Sequence, residues 1–279
     1  MIAPFTGSVA GHGNLLVSDS HILKPLPPGD VRGSRELAYY EALRARAAAH
    51  APLARFAPAF FGVRDVAGVP HLALENLTAN FSLPCVLDVK MGARSVGPDA
   101  PPEKAALDAA KWPPQGRLGL RFCGLRVGWR GVGGGAQWRE CGGEALRGAL
   151  PDDGADGAPL AALRAYLTGG GGRVRRDVVP PLLARLAALR AWFSTQTRFL
   201  FFGSSLLFVY EGKEGGGGDG GGARAATGEP AVELRMIDFA HVWDAGEGAR
   251  AGCDEGYLRG LDTLERALRA LLLEETIIL

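Results

Sequence analysis

Two periods of hydrophobicity run along this chain, and the places where one gives way to the other mark its elements. Residues 15–17 and 21–23 are short apolar runs on either side of Ser18-Asp19-Ser20, which predicts a hairpin with Lys24 at the end of its second strand. In 33–50, Leu37, Tyr40 and Leu43 recur at helical spacing behind Ser34, a residue suited to cap a helix. Residues 60–63 and 71–76 predict two strands around a glycine-containing turn, and the alternation of PCVLDVK predicts another at 84–90. Segment 98–113 is polar and alanine-rich with prolines at both ends, which predicts a short helix. The basic and apolar alternation of 117–130 predicts a strand pair with one charged face. Segment 131–172 is glycine-rich, with a short helix expected around 160–167. An amphipathic helix is expected at 180–193, directly after proline, and another at 258–275. Two apolar strands are expected at 204–212 and 232–240, joined by a low-complexity loop at 213–229 that is expected to be flexible. Strands come first and helices later, with a switch near 75–84, so the expected architecture is α+β with two lobes, 1–77 and 78–279.

Composition narrows the function classes. In 279 residues, 47% hydrophobic and 22% charged positions suit a globular chain. No apolar run reaches the ~18–20 residues of a membrane span, and the first residues lack the pattern of a secretory signal. Four scattered cysteines without C-x-x-C spacing fit a reducing compartment and argue against a zinc site. The net charge of +1 gives no global attraction to nucleic acid, so a polyanion site has to be a local cluster. Of the 31 cationic residues only five are lysines: Lys24, Lys90, Lys104, Lys111 and Lys213. An arginine-, glycine- and alanine-rich composition suggests a coding bias, which makes the remaining lysines informative.

Four features fit one nucleotide site. Lys24 on an early strand is followed by Glu36 on the first helix, an arrangement that aims an ammonium at phosphates; the alternative is two surface charges. Leu74-Glu75-Asn76-Leu77 lies between the lobes, where an extended segment can offer backbone groups to a base. Asp88 and Lys90 share one face of an apolar strand, which is costly unless they face a cleft, although a structural ion pair has the same spacing. Asp238 ends a buried strand, where it can hold Mg²⁺ against phosphates or simply cap a helix. The glycine-rich loop at 213–229 lacks GxGxxG or GxxxxGK spacing and is assigned no phosphate role.

Longer wording joins these features. PCVLDVKMG resembles the PxxxDxKxG signature of the inositol polyphosphate kinase family, SSLLFVYEG resembles its SSLL element, and MIDFAHV its IDFA element. Their order and spacing agree, as do VAGH, ILKPL, RELAYY and DEGYLRGL, so the resemblance runs from about residue 9 to 274. It implies an ATP-grasp-like, kinase-related two-lobe fold with an ATP cleft between the lobes, and Mg²⁺- and ATP-dependent phosphorylation of inositol phosphates. By position, Lys24 is similar to the lysine that contacts ATP phosphates, with Glu36 as its partner, and Glu75 and Leu77 to the adenine-binding hinge. Asp88 corresponds to the signature aspartate near ribose and the reacting hydroxyl, Lys90 to the lysine at substrate and transferring phosphate, and Asp238 to the metal aspartate with Ser205 behind it. Lys104 and Lys111 fall on the family's inositol-binding helix, the alternative being a solvated helix face. Arg126 and His241 match positions expected near substrate, and Arg126 also suits a structural role.

Among the branches of the family, the short gap between Gly92 and Arg117 favours the multikinase or hexakisphosphate kinase type, and the wording DVKMG, ILKPL, RELAYY and IDFAHV followed by DEGYLRGL is most like the multikinases, which act on inositol trisphosphate and tetrakisphosphate. Hexakisphosphate kinases and trisphosphate 3-kinases are the alternatives, and an inactive scaffold is a different one. Kinases of aminoglycoside or choline type would need an HxD motif, which is absent. Ala105, Ala106, Leu107 and Asp108 stand where animal multikinases tend to place glutamines, which bears on regiochemistry and on activity toward phosphoinositide lipid headgroups. The resemblance implies a monomer in the cytoplasm or nucleus, without nucleic-acid partners.

Overall fold

The computed structural model describes residues 2–9, 14–18, 21–45, 51–131, 133–151, 157–169, 172–212, 230–246 and 252–274. In chain order the elements are β1 (Ile2–Pro4), β2 (Leu16–Ser18), β3 (His21–Pro25), α1 (Val31–Arg44), β4 (Phe60–Val66), β5 (Val69–Glu75), β6 (Pro84–Met91), α2 (Pro102–Ala110), α3 (Gln115–Leu118), β7 (Leu120–Arg130) and β8 (Ala136–Gly142). They continue with α4 (Gly143–Gly148), α5 (Gly157–Leu167), α6 (Val179–Phe193), β9 (Phe199–Phe201), β10 (Ser205–Glu211), β11 (Val232–Ile237), β12 (Val242–Asp244) and α7 (Glu255–Leu273). One antiparallel sheet has the order β1-β2-β3-β5-β4 and a second has β11-β10-β6-β7-β8. The first draws on residues up to Glu75 and the second begins at Pro84, so the expected α+β arrangement of two sheet-based halves is present.

Burial explains the middle of the second sheet. In β6, Cys85 through Val89 and Met91 are all buried, which is why the run is apolar on both faces and why a charged residue within it demands a reason. Helices α5, α6 and α7 pack together against this sheet. Phe193 of α6 stacks on Tyr257 of α7 with ring centroids 4.0 Å apart. A second aromatic group ties the halves: Tyr39 and Tyr40 of α1 lie 4.8 and 5.4 Å from Phe239, the residue after Asp238. Each such pair adds about 0.5–1.5 kcal/mol beyond the area it buries.

Two local expectations are corrected. Residues 117–130 are not a strand pair: β7 is one strand of 11 residues, and its partner β8 comes from the glycine-rich stretch. The turn is made by Gly131 to Gly135, where Gly131 N–H donates to Gly135 O at 2.9 Å, and Gly124 inside the strand marks a register shift instead. The cap of α1 is Asp30, whose side chain accepts from Arg32 N–H, while Ser34 sits inside the first turn and donates to Asp30 O. The short elements β1, α4, β9 and β12 carry no periodicity long enough to predict. The loop expected at 213–229 lies outside the described residues.

Candidate active site

Lys24, Glu36 and Asp238 meet across the two halves. The Lys24 ammonium is 2.6 Å from Asp238 Oδ1 and 2.8 Å from Glu36 Oε2, although Asp238 is 214 residues away in sequence. Glu36 is 2% exposed, and its carboxylate also accepts the Phe239 N–H at 3.3 Å. Burial opposes the charge of Lys24, but Asp238 and Glu36 outweigh it and hold the ammonium above its usual range. Burial pushes Glu36 up against the pull of Lys24, whereas at Asp238 the Lys24 charge overcomes burial and holds the carboxyl below its usual range.

Asp238 sits where β11 stops. Its φ of +64° is in the left-handed region, which aspartate tolerates better than most side-chain-bearing residues. The twist turns its carboxylate out of the strand's alternation, and the side chain remains 43% exposed to the cleft. Among the described residues no three His, Cys, Asp or Glu side chains form a metal cage. A single cleft-facing carboxylate such as Asp238 suits Mg²⁺, which is held by one or two carboxylates with substrate phosphates and water completing its shell.

The facing wall is β6. Lys90 pairs across the sheet with Ser205 and Arg121, and its ammonium donates to Gly203 O at 2.8 Å. Asp88 is 6% exposed and has Ser205 as a hydrogen-bond partner, yet its Oδ1 is buried with no partner. Burial, then the charge of Asp238, pushes the Asp88 carboxyl up to about 6. The charges of Lys90 and Lys24 pull the Asp88 carboxyl the other way, and its buried Oδ1 keeps its capacity to accept a hydrogen bond.

His241 marks the electropositive end. Burial lowers its pKa first, and the charges of Lys104 of α2, Arg35 and Arg32 of α1 and Lys90 of β6 lower it further. Arg32 and Arg35 were not singled out in the sequence, yet Arg32 precedes Glu36 by four residues and so lies on the same side of α1. Helix α2 is anchored from beneath. Asp108 accepts from Ser95 N–H at 3.0 Å and from Arg121 at 3.3 Å. Burial would raise the Asp108 carboxyl, but Arg121 and Ser95 outweigh it and keep it below the usual range. Asp108, which stands where glutamines were expected, therefore fixes the helix rather than contributing a neutral donor.

Lys111 is 3.5 Å from Asp108, whereas Lys104 has no such ion pair among the described residues. Substituting Lys104 with Ala should therefore raise KM for inositol phosphate about 10-fold, and Lys111→Ala by less, with kcat nearly kept in both. Steady-state kinetics at saturating ATP measures this. An equal effect on kcat would remove both lysines from phosphate binding.

Glu75 ends β5, where its N–H donates to Ala59 O at 2.8 Å and its carboxylate accepts Ala59 N–H at 3.0 Å. The side chain is thus occupied, and Leu77 is buried beside it. Arg126 is not brought into the cationic group around His241. It is 2.9 Å from Glu140, stacks over Trp138 and donates to Thr6 O.

Comparison with known proteins agrees with this geometry. The family model for inositol polyphosphate kinase matches residues 71–269. The inositol polyphosphate multikinase of Oryza sativa subsp. indica is 33% identical, covering 99% of this chain and 96% of its own length. This chain belongs to the inositol polyphosphate kinase family. The inositol hexakisphosphate kinase 2 of Homo sapiens is 32% identical over 69% of this chain and 49% of its own length. A solved inositol phosphate multikinase superposes with a TM-score of 0.64 at 28% identity, covering 85% of this chain and 99% of its own. The multikinase of S. cerevisiae, solved with ADP and Mn²⁺, has a TM-score of 0.66 at 23% identity, covering 91% and 99% of the two chains, and bears on the fold alone. The kinase-like fold and phosphotransferase class of the family kinase are those expected from its wording.

Proposed function

We propose that this family kinase is a multikinase that transfers the γ-phosphoryl group of Mg-ATP to inositol trisphosphate and then tetrakisphosphate, ending at the pentakisphosphate. The observation that carries this reading is the joining of Lys24, Glu36 and Asp238 across the two halves, with the charges of Lys104, Arg35, Arg32 and Lys90 all felt at His241. The full-length likeness to a plant multikinase supports the branch.

Adenine would be received by backbone groups of the segment from Glu75 to Leu77. Lys24 and Lys90 place ammoniums at the phosphates, and His241, Arg32, Arg35, Lys104 and Lys111 receive phosphates already on the inositol ring. Asp238 would hold Mg²⁺, which would supply charge neutralisation at the phosphates, while Ser205 holds the Asp88 carboxyl. Asp88 accepts the hydrogen bond of a hydroxyl through its unpaired Oδ1. The protein's part is then chiefly positioning and charge stabilisation, as phosphoryl transfer requires.

Purified protein incubated with Mg-ATP and a panel of inositol phosphates, with products resolved by ion exchange, tests the reading. Stepwise conversion of trisphosphate to pentakisphosphate is expected. Turnover of hexakisphosphate alone would move the chain to the other branch, and nucleotide binding without turnover would make it a scaffold. Vesicles carrying phosphoinositide belong in the panel, because their headgroups present the same ring phosphates.

The pH profile tests Asp88 separately. Its carboxylate form is the acceptor, so activity should fall as pH drops through about 6, and Asp88→Asn should abolish that limb along with most of the rate. A limb in kcat/KM for the inositol phosphate assigns Asp88 to the reacting hydroxyl, and one only in kcat/KM for ATP assigns it to ribose. The same upward shift means that ionising this buried carboxyl costs stability between its ordinary 3.8 and about 6, so stability falls as pH rises through that window.

A further inference from the structure

The connection between β1 and β2 leaves the first sheet and touches the second. Arg126 Nη1 donates to Thr6 O at 3.1 Å. Gly124 has a φ of +156°, and Val9 O lies 2.0 Å from where its Cβ would stand. Both contacts fall on one face of β7, because residues two apart in a strand project together. Gly124 is directly opposite Asp88, and Arg126 is opposite Val86. Opposed residues of an antiparallel pair share a face, so Thr6 to Val9 runs along the face that bears the Asp88 carboxylate. At its other end the connection enters β2, whose Leu16 pairs with Leu23, the neighbour of Lys24.

Arg126 is held in a way that suits this contact. Its guanidinium carbon is 3.9 Å from the centroid of the Trp138 ring. Its Nε is 2.9 Å from Glu140 Oε1, and its side chain is 15% exposed. Glu140 lies directly opposite Arg126 on β8, and Trp138 faces Gly128, so the supports stand two residues apart on one face of the strand. A planar fork can stack on a ring, pair along one edge and donate from the other at the same time, which an ammonium cannot do. Nη1 is committed to Thr6 O, and Nε forms an ion pair with Glu140 without hydrogen-bond geometry.

We propose that Arg126 is a positioning residue for the nucleotide: it latches the Thr6–Val9 strap against β7 beside Asp88, and so tightens ATP binding without touching the inositol phosphate. Gly124 is the other half of the latch, since any side chain there would displace the Val9 carbonyl. The proposal rests on the ATP-dependent reading above.

The experiment uses the full chain and measures Kd for a non-hydrolysable Mg-ATP analogue by calorimetry, KM for ATP and inositol trisphosphate separately, and hydrogen exchange at the amides of residues 5–9. Arg126→Ala and Gly124→Ala should each weaken the analogue about 10-fold and raise KM for ATP in step, with kcat and the inositol phosphate KM within about twofold. Exchange at those amides should quicken in both. The double variant should be no worse than either single, because both release the same strap. Arg126→Lys should restore part of the affinity, and Trp138→Leu, which leaves the strap itself untouched, should mimic the loss. A rise in the inositol phosphate KM with ATP affinity unchanged would make Arg126 a substrate ligand and overturn the proposal. Quickened exchange with both affinities unchanged would reduce the latch to a structural contact and overturn it as well. Failure of the kinase reading is distinct, since it shows as a wild-type chain that binds the analogue and turns nothing over.

Discussion

Asp238→Asn lowers kcat by about 100-fold or more and leaves the fold in place. The replacement is chosen for the backbone as much as for the charge. Asp238 stands at φ +64°, and asparagine tolerates that conformation, whereas alanine would add about 1–2 kcal/mol of strain and confuse a kinetic loss with a folding loss. Asparagine keeps the size and removes the negative charge that sits 2.6 Å from Lys24 and faces the cleft. Lys24 then keeps only Glu36 as a charged partner, and on the proposed function the phosphates lose the carboxylate that would hold Mg²⁺. Kinetics at saturating substrates, with a melting curve within a few degrees of wild type, checks this. Near-normal kcat would mean that Asp238 neither holds the cation nor orients Lys24, and the site would have to be assigned anew.

Some of this arrangement could be read in the sequence because it is local. Asp88 and Lys90 are two residues apart on a strand whose other positions are buried, so their shared face follows from the pleat alone. The long helices α1, α6 and α7 follow from the spacing of their apolar residues. What joins Lys24 to Asp238 is different, since 214 residues separate them and no periodicity predicts which charges a fold brings together. Only the wording of several motifs in order placed them in one site. The glycine-rich stretch hid β8 because glycine weakens every periodic signal, and with β8 hidden the partners of Arg126 were hidden too. Arg32 and Arg35 were passed over because exposed arginines on a helix are ordinary until a third element brings His241 beside them.

The scarcity of lysine acquires structural content. Lys24 and Lys90 hold defined partners within the cleft, Lys104 faces His241 from α2, and Lys111 is tied to Asp108. Lys213 lies outside the described residues. In a chain that otherwise uses arginine for positive charge, a compact ammonium at crowded phosphate oxygens is a distinct chemical choice, because it presents three rotatable donors from a single point.

Lys90→Ala should lower kcat by about 100-fold with little change in ATP affinity, since the proposed function puts the ammonium at the transferring group and at substrate rather than at the nucleotide base. Its position is set by the Gly203 carbonyl at 2.8 Å. Gly203 itself is fixed at φ +66°, where a Cβ would stand 2.9 Å from Ser95 O, so the turn that orients Lys90 accepts no side chain. Arginine at position 90 should leave activity at least about 10-fold down, because a longer planar group cannot keep the Gly203 contact and present a point charge to the same oxygens. A second consequence separates loss of charge from loss of shape. The Lys90 charge is one of the influences that hold the Asp88 carboxyl down against burial and Asp238. Removing it should move the acid limb of the residual activity above about 6, whereas arginine, which keeps the charge, should leave the limb near its place. A pH profile of both variants decides it: limbs that coincide would show that Lys90 and Asp88 do not share an electrostatic environment, and the cleft would then lack the coupling on which positioning of the hydroxyl depends.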